Sequence, residues 1–456
     1  MAMDVARFGP WASRAYTLQK SQENYTRRFR IAYPNEELPI GRGVKRSAIY
    51  SEAVKDGAVF GAAYGMEYPK YYSSGPEDAT ETFSFHRSNA FDATGREVMA
   101  VREAVGAFDM ATFSKYEVVG PTARQWLDGL LAGRVPKAGR MAMAPMLDPD
   151  GRLAGDLTVA ALGPALDGRG ERFMLFGSGQ LQGYHTRWFM QNVWAGGWDP
   201  AEVTVRNVTD SVGGIAIAGP NSRKLLQAVA ERPEVLSADF MPFMGIASVD
   251  LGFVPATVCR VSVTGELGYE VTCPAAALPS LYADLRAAGT ELGLRPCGSY
   301  AMNSLRLEKS YGVWGREYTP DYTVAESGLD RFMQLSKPTD FVGKAAAQAE
   351  AAAASPARRL VTLVIEGGRS ESGGQAADAW GFEPVWSVDG EYLGHTTSGG
   401  YGHSVGQSIA MAYITADRIV DIGDGGNVAV HVLGAKRRAR LALSPLYDPS
   451  GSKMRA

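Results

Sequence analysis

Two glutamates lie in a glycine-rich stretch near the middle of the chain, at residues 259–273, Cys-Arg-Val-Ser-Val-Thr-Gly-Glu-Leu-Gly-Tyr-Glu-Val-Thr-Cys. Valines that alternate with polar residues predict two short, half-buried strands, with Val261 and Val263 on the first. Glu266 falls in the turn, and Glu270 begins the returning strand. A carboxylate offers two acceptor oxygens, which match a planar pair of N–H donors. The stretch therefore predicts either a ligand site or a β-hairpin with solvated glutamates.

A single acid interrupts an apolar strand pattern earlier in the chain. Asp156 stands between Gly155 and Leu157, in a hairpin strand predicted to run from Leu153 to Ala161. An acid inside an apolar strand is costly unless it is hydrogen-bonded or its pKa moves. Asp156 is therefore a candidate catalytic group. The alternative is that its carboxylate accepts backbone N–H bonds at a bend beside Gly155.

The elements that must position these acids are strands and helices of similar number, which predicts an α+β fold. A strand followed by Gly-Pro and a helix occurs twice, at residues 116–131 and at residues 214–226. Two copies of one arrangement indicate an internally duplicated unit. Further helices are predicted at residues 281–292 and 299–311.

The last hundred residues change character. An alanine-rich helix and linker at residues 346–359 is followed by short strands, separated by Gly, Asp and Ser, in residues 360–456. Short strands at such spacing predict a small barrel or sandwich.

The N-terminal residues 1–80 form a segment of their own, rich in arginine and aromatic residues. Its basic cluster comprises Arg27, Arg28, Arg30, Arg42, Lys45 and Arg46. Such a cluster could hold an anion, or it could pack its aliphatic stems on a neighbouring domain and leave its charged groups in water.

The composition excludes several classes of protein. The chain has 456 residues, a hydrophobic fraction of 45% and a net charge of −3, so it carries no basic excess that would indicate nucleic-acid binding. The three cysteines and five histidines lack the spacing of a disulfide framework or a metal site. The N-terminus has no basic-then-apolar signal, and no apolar run is long enough for a membrane span. We therefore expect a cytoplasmic protein without a metal centre.

Many motifs, in chain order, resemble the folate-binding part of the dimethylglycine and sarcosine dehydrogenase family, which is similar to the glycine-cleavage T-protein, an aminomethyltransferase. The matching stretches are Phe108-Asp109-Met110, residues 148–159, residues 265–270, Asn303-Ser304-Leu305-Arg306-Leu307-Glu308-Lys309, Gly328-Leu329-Asp330, Phe341-Val342-Gly343-Lys344, residues 397–402 and residues 444–449. Residues 1–80 resemble the segment that follows the flavin domain in those dehydrogenases. No glycine-rich flavin-binding fingerprint is present, so the chain resembles such an enzyme without its flavin domain.

The resemblance implies a fold of three small domains in a cloverleaf, with tetrahydrofolate in a central funnel. The folate-binding α+β domains would occupy residues 81–345, and a β-barrel or jelly-roll-like domain would occupy residues 360–456. The catalytic aspartate of the family falls on Asp156, and its pterin-holding glutamate falls on Glu270.

Other site residues follow from the same resemblance. Met302 stands where the T-protein has a folate-contacting arginine, Ser178 stands where an asparagine is expected, and Val263 replaces a frequent tyrosine. The residues assigned on this basis are Glu266, Ser178, Met302 and Tyr447 for folate, and Tyr269 and His185, which lies near the loop after the strand at residues 173–176, for the methylated substrate.

The resemblance also implies a function. We expect a tetrahydrofolate-dependent transferase that moves a methyl or methylene group from a small N-, S- or O-methyl compound to tetrahydrofolate. The alternative is a non-catalytic folate-binding subunit of a flavoprotein N-demethylase. In either case a separate flavoprotein oxidoreductase is a candidate partner, and neither nucleic acid nor a membrane is expected.

Overall fold

The computed structural model describes residues 4–353, 355–367 and 376–456. Within the segment 1–80, two helices and one antiparallel hairpin form, namely α1 (Arg14–Arg27), α2 (Tyr50–Lys55), β1 (Ala58–Ala63) and β2 (Met66–Tyr72). The Ser13 hydroxyl accepts from the Tyr16 N–H and caps α1. One member of the basic cluster, Arg42, donates to the buried Glu67 carboxylate at 2.8 Å. This arginine is therefore used inside the segment.

The first lobe is a five-stranded antiparallel sheet in the order β5-β6-β7-β4-β8. Before it come α3 (Phe91–Glu103) and β3 (Val105–Asp109). The lobe itself consists of β4 (Phe113–Gly120), α4 (Ala123–Leu130), β5 (Met141–Leu147), β6 (Leu153–Pro164), β7 (Glu171–Ser178), α5 (Gln182–Ala195) and β8 (Thr204–Asn207). One face of the sheet packs on α4 and α5 through a buried cluster that includes Trp126, Leu157 and Phe189. We call this the outer face.

The second lobe is a six-stranded sheet in the order β10-β11-β12-β9-β3-β13, in which β13 runs parallel to β3. Its elements are β9 (Val212–Ala218), α6 (Ser222–Val229), β10 (Ile246–Leu251), β11 (Val254–Cys259), β12 (Gly268–Pro274), α7 (Leu278–Gly289), β13 (Leu294–Pro296) and α8 (Ser299–Glu308). Leu225 and Leu281, on α6 and α7, share a core with Ile217 and Val271 of the sheet. Those positions define the outer face of this sheet.

The two lobes repeat one local arrangement, as the sequence predicts. Gly120 ends β4 with φ +146°, and Gly219 follows β9 with φ +133°. A side-chain carbon at Gly120 would lie 2.0 Å from the Glu202 carbonyl oxygen, and one at Gly219 would lie 2.5 Å from that of Ala104. Only glycine tolerates both the positive φ and the close backbone. These glycines therefore fix the turn from strand to helix in each lobe.

The third lobe is a closed six-stranded barrel in the order β14-β17-β16-β15-β18-β19. After α9 (Lys344–Ala352) it comprises β14 (Arg358–Ile365), β15 (Pro384–Ser387), β16 (Tyr392–Gly402), β17 (Gln407–Thr415), α10 (Ala416–Ile422), β18 (Asn427–Val432) and β19 (Ala435–Ala442), and α11 (Ser452–Arg455) follows. Single turns of 3-10 helix lie at Val5–Arg7, Gly179–Leu181, Pro233–Leu236, Ala275–Ala277 and Asp330–Phe332. The expected β-barrel is confirmed, as is the α+β class.

Buried charges tie α8 to the barrel and to the loop that follows α8. Arg306 donates to the Glu317 carboxylate at 3.0 Å and to the Ser398 hydroxyl at 2.8 Å. Glu308, two residues after Arg306, accepts from Arg102 of α3 at 2.7 Å. Residues two apart on a helix point in different directions, so Arg306 and Glu308 contact different partners.

One strand boundary differs from the prediction. The strand expected at Val261 and Val263 ends earlier, because β11 stops at Cys259. Residues 260–267 form a loop that is held by side chains such as Ser262, whose hydroxyl accepts from the Gly265 N–H at 3.0 Å. The alternation of valines with polar residues in this loop therefore does not correspond to strand pairing. In the described ranges, no helix has the combined length and apolarity that crossing a bilayer requires.

Candidate active site

Asp156 has one carboxylate oxygen that no other described residue contacts by a hydrogen bond. It lies on β6 opposite Pro145 of β5, and its Oδ1 atom is buried with no hydrogen-bond partner among the described residues. Burial raises the pKa of this carboxyl to about 7. A carboxyl whose pKa lies near neutrality can gain and lose a proton under ordinary conditions.

The pleat of β6 sends Asp156 to the inner face of the first sheet. Leu157 and Val159 belong to the outer cluster that packs on the helices. Because side chains alternate along a strand, Asp156 and Thr158 lie on the opposite face, as does Ala160. Ala160 packs in the cluster that joins the first lobe to the second.

Glu270 occupies the corresponding place on the second sheet. It lies on β12 between Cys259 of β11 and Ala216 of β9. Burial raises the pKa of its carboxyl to about 7, and the charge of Lys115 acts in the opposite direction. Unlike Asp156, it has a charged neighbour.

The inner faces of the two sheets meet through a small hydrophobic cluster. Phe176 of β7 and Cys259 of β11 are both members of it. Phe176 is the ladder partner of Lys115 and of Thr158, and Cys259 is the ladder partner of Glu270. The structure thus brings Asp156 and Glu270 to the facing inner surfaces of two lobes.

Lys115 is a site residue that the sequence analysis missed. It is 1% exposed, and its Nζ donates to the carbonyl oxygens of Met110 and Phe113, each at 3.2 Å. Burial lowers its pKa to about 8. The strand reads Phe-Ser-Lys-Tyr-Glu, so Lys115 shares its face with Glu117, and a pair of charges at period two is typical of a solvated strand face.

A second missed residue approaches Asp156 from the loop after α8. Burial raises the pKa of the Tyr318 hydroxyl, and the nearby Asp156 charge raises it further. The side chain is 7% exposed. Tyr318 therefore stays protonated and is a candidate hydrogen-bond donor at the inner face.

His185 lies on the wrong side of the first sheet for a substrate contact. A side-chain carbon at Gly155 would lie 2.7 Å from His185 Nε2, so the ring packs on the outer face, one residue out of phase with Asp156. Its Nδ1 lies 3.4 Å from the Tyr116 hydroxyl, and burial lowers its pKa to about 3. The ring is thus a neutral part of the core under α5. The assignment of His185 to the substrate remains a prediction, and its place in the core does not support it.

Tyr269, whose assignment to the substrate remains a prediction, also lies on the outer side of its sheet. It precedes Glu270 on β12 and therefore faces the outer core, where it packs with Ile217 and Leu281. Its hydroxyl accepts from Arg223 Nε at 3.0 Å. Tyr269 and Glu270 are adjacent in the sequence, and they therefore lie on opposite sides of the sheet.

Glu266 and Tyr447 form a closed network instead of an open site. The Tyr447 hydroxyl donates to Glu266, and Arg102 donates to the same carboxylate at 3.2 Å. The Arg102 guanidinium also lies 3.5 Å from the centre of the Tyr447 ring. Their assignment to folate contacts remains a prediction, and the network gives both side chains a structural task.

Ser178 and Met302 lie on the inner side. Ser178 ends β7 two residues beyond Phe176, and its hydroxyl accepts from the Gln180 N–H at 3.3 Å. Met302, half-buried on α8, packs in the cluster that also contains Ala216, the ladder partner of Glu270. Both positions are compatible with a ligand between the lobes, and their roles remain predictions.

Comparison with known proteins agrees with this architecture. Residues 49–337 match the GCVT N-terminal domain, and residues 358–448 match the glycine cleavage T-protein C-terminal barrel domain. Residues 1–47 match the central domain of FAD-dependent oxidoreductases.

Two similar proteins differ in how much of their own length this chain covers. Mitochondrial dimethylglycine dehydrogenase of Mus musculus is 34% identical over 454 residues, which are 99% of this chain and 50% of that protein. Aminomethyltransferase of Moorella thermoacetica is 30% identical over 409 residues, which are 89% of this chain and 98% of that protein. The chain thus spans about half the length of the dehydrogenase relative.

The fold itself is shared with a solved structure. Aminomethyltransferase T of the glycine cleavage system from Bartonella henselae superposes with a TM-score of 0.72 at 22% identity, over 89% of this chain and 98% of that one. With family models that match most of its length, the chain belongs to the glycine-cleavage T-protein (GCVT) family.

Proposed function

We propose that this protein transfers a one-carbon unit from a small methylated compound to tetrahydrofolate, with Asp156 as the catalytic base. The observation that carries the proposal is the buried, unpartnered Oδ1 of Asp156 on the inner face of the first lobe. A group that holds a fold together is expected to be hydrogen-bonded. Asp156 is instead available for a partner that arrives from outside the chain.

The chemistry of the two acids fits a reduced folate. A pterin ring carries a planar edge of N–H donors, and Glu270 presents a carboxyl that accepts no hydrogen bond from the described residues. Tetrahydrofolate supplies a nucleophilic ring or side-chain nitrogen when it is bound. Asp156 would then accept the proton that this nitrogen sheds as it bonds to carbon, while Glu270 holds the ring in place.

The size of each contribution can be estimated. A well-placed general base contributes about 10²–10⁴-fold to a rate. The remaining acceleration would come from holding donor and folate together between the lobes, away from water. Tyr318, which burial keeps protonated, is suited to donate a hydrogen bond to the donor or to Asp156.

The donor determines the product. An iminium delivered by a partner oxidase would be attacked at carbon by a folate nitrogen, and the second folate nitrogen would then displace the amine, which gives methylene-tetrahydrofolate. An N- or S-onium or aryl-ether methyl compound would give methyl-tetrahydrofolate and release the neutral amine, the thioether or the phenol. The match of residues 1–47 to the central domain of FAD-dependent oxidoreductases favours a flavin-dependent oxidation as the source of the iminium in the first route.

The match of residues 1–47 to a flavoprotein domain is also consistent with a second candidate function. The chain could be a non-catalytic folate-binding subunit, in which the flavoprotein performs the oxidation and this chain only holds folate. The two functions differ in what the isolated chain can do with folate and a suitable donor.

The test is an incubation of the purified chain with tetrahydrofolate and a panel of N-, S- and O-methyl compounds, and separately with formaldehyde plus a secondary amine as an iminium source. Chromatography of the folate products reads the outcome. Enzyme-dependent methyl- or methylene-tetrahydrofolate that disappears in Asp156→Asn supports the transferase. Folate binding without any product, in the presence or absence of a flavoprotein, would favour the subunit.

A further inference from the structure

Lys115 differs from the other buried lysines of the described chain. Lys70, Lys309 and Lys337 each have a carboxylate oxygen within 4.0 Å of Nζ. Lys115 is equally buried, but its hydrogen bonds go to two main-chain carbonyl oxygens. A buried ammonium without a contacting carboxylate is costly and calls for a task.

The position of Lys115 points to that task. Lys115 is the ladder partner of Phe176 on the first sheet, and Glu270 is the ladder partner of Cys259 on the second. Phe176 and Cys259 pack in one cluster where the two inner faces meet. Lys115 and Glu270 thus flank the same contact from opposite lobes.

Few other charges face this pair. Lys115 also faces Asp109 on β3, Asp210 in the loop before β9 and the distant cation of Lys45. The Asp109 carboxylate accepts a hydrogen bond from the Ala111 N–H at 2.9 Å. Glu270 faces Lys115 and the Cys259 thiol, and burial keeps that thiol protonated by raising its pKa. Among the residues that the structure describes, Lys115 is the one cation whose charge acts on the Glu270 carboxyl.

A cavity of about 220 Å³ supports a charged lysine at this depth. Lys115, Asp109, Asp210 and the backbone of Gly214 are among the groups that line it. The space is large enough and polar enough for water, which lowers the cost of keeping an ammonium inside the protein.

We propose that Lys115 is a positioning residue that holds Glu270 in its carboxylate form, so that Glu270 can accept the N–H donors of the pterin. The inference rests on the proposed folate role of Glu270. It adds a residue that acts through Glu270 and does not itself contact the folate. Removal of the cation raises the pKa of Glu270, and a protonated carboxyl loses acceptor capacity.

The test is the pH dependence of folate binding. Calorimetry with 5-formyltetrahydrofolate, from about pH 6 to about pH 9, is performed in an Asp156→Asn background so that Asp156 does not titrate. In Lys115→Met we expect the midpoint of the affinity curve to move up by about one pH unit or more. Affinity near pH 7 then falls about fivefold and recovers near pH 9. Lys115→Arg, which retains the charge, is expected to keep the original midpoint.

Controls separate this role from a structural one. Lys337→Met removes a buried lysine that is bound to Asp128, remote from Glu270, and should leave the midpoint in place. Lys115→Gln provides a second neutral variant if Lys115→Met does not fold. An unchanged midpoint in a folded neutral variant, or a loss of affinity that is equal at every pH, overturns the inference.

The proposed function fails in a distinguishable way. If Glu270→Gln binds folate as tightly as the wild type, Glu270 has no folate role and both proposals lose their basis. If Glu270→Gln weakens binding and removes its pH dependence, but neutral Lys115 variants keep the wild-type midpoint, only the role of Lys115 is refuted.

Discussion

Two pairs of acids in this molecule, one fully buried and one half-buried, differ in their surroundings. Glu266 and Glu308 share the guanidinium of Arg102, and each accepts further hydrogen bonds from neighbouring groups. Asp156 and Glu270 face each other's lobe without a contacting cation, and burial raises the pKa of each to about 7. Paired acids hold the lobes together, whereas unpaired acids remain free to act on a ligand. We therefore expect Asp156 and Glu270, and not Glu266, to act on the proposed ligand.

The largest expected effect lies in the paired group. Arg102→Met leaves two buried carboxylates without their cation, which we expect to cost about 3–5 kcal/mol in the free energy of unfolding. Denaturant titration measures the loss. Arg169→Met is the control, because that arginine is 80% exposed and pairs only with Asp167. A loss no larger than that of the control would show that the network is not structural.

The next effect lies in catalysis. Asp156→Asn removes the base without changing the size of the side chain, so turnover should fall at least about a hundredfold while folate affinity changes little. Single-turnover assays and calorimetry measure the two quantities. Asp150→Asn, in the exposed turn of the same hairpin, should be as active as the wild type. Unchanged turnover in Asp156→Asn would remove Asp156 from the mechanism.

Substitution of the glutamates compares the two groups directly. Glu270→Gln should weaken folate binding about 10- to 100-fold, because a hydrogen bond to a charged group contributes about 1.5–3 kcal/mol. Glu266→Gln should lower the melting temperature and leave the affinity of the folded protein unchanged. Calorimetry paired with thermal unfolding distinguishes these outcomes. The reverse pattern would assign the folate contact to Glu266 and contradict the comparison.

The smallest effect is a dependence on pH. A base must be ionised to accept a proton, and burial places the pKa of Asp156 at about 7. Turnover should therefore rise with pH through neutrality and fall about fivefold between about pH 7 and about pH 6 at saturating substrates. A turnover profile that is flat over this range would indicate that another group accepts the proton.

Much of the element pattern could be predicted from the sequence. The barrel strands, the duplicated strand–glycine–helix unit and the hairpin that carries Asp156 follow from local periodicity and turn residues. An acid in an apolar alternation is visible without a structure, because only a bend or a function accommodates it.

Sheet side and pairing could not be predicted from the sequence. Tyr269 and Glu270 are adjacent, yet the pleat sends one to the core and the other to the inner face. His185 is close to the inner face in the sequence but lies on the outer side, under α5. Arg102, which donates to Glu266, lies on α3, more than a hundred residues away. No local sequence pattern predicts this pairing. Lys115 was missed for the same reason, since its burial depends on contact between two lobes.

The most direct test of the central claim is a crystal structure of the protein with bound 5-formyltetrahydrofolate. We predict that the pteridine lies between the inner faces of the first two lobes. Its N–H edge should be within hydrogen-bonding distance of Glu270, about 3 Å, and Asp156 should face the reactive nitrogens. A folate bound elsewhere, or an Asp156 carboxyl that contacts only protein in the complex, would contradict the account.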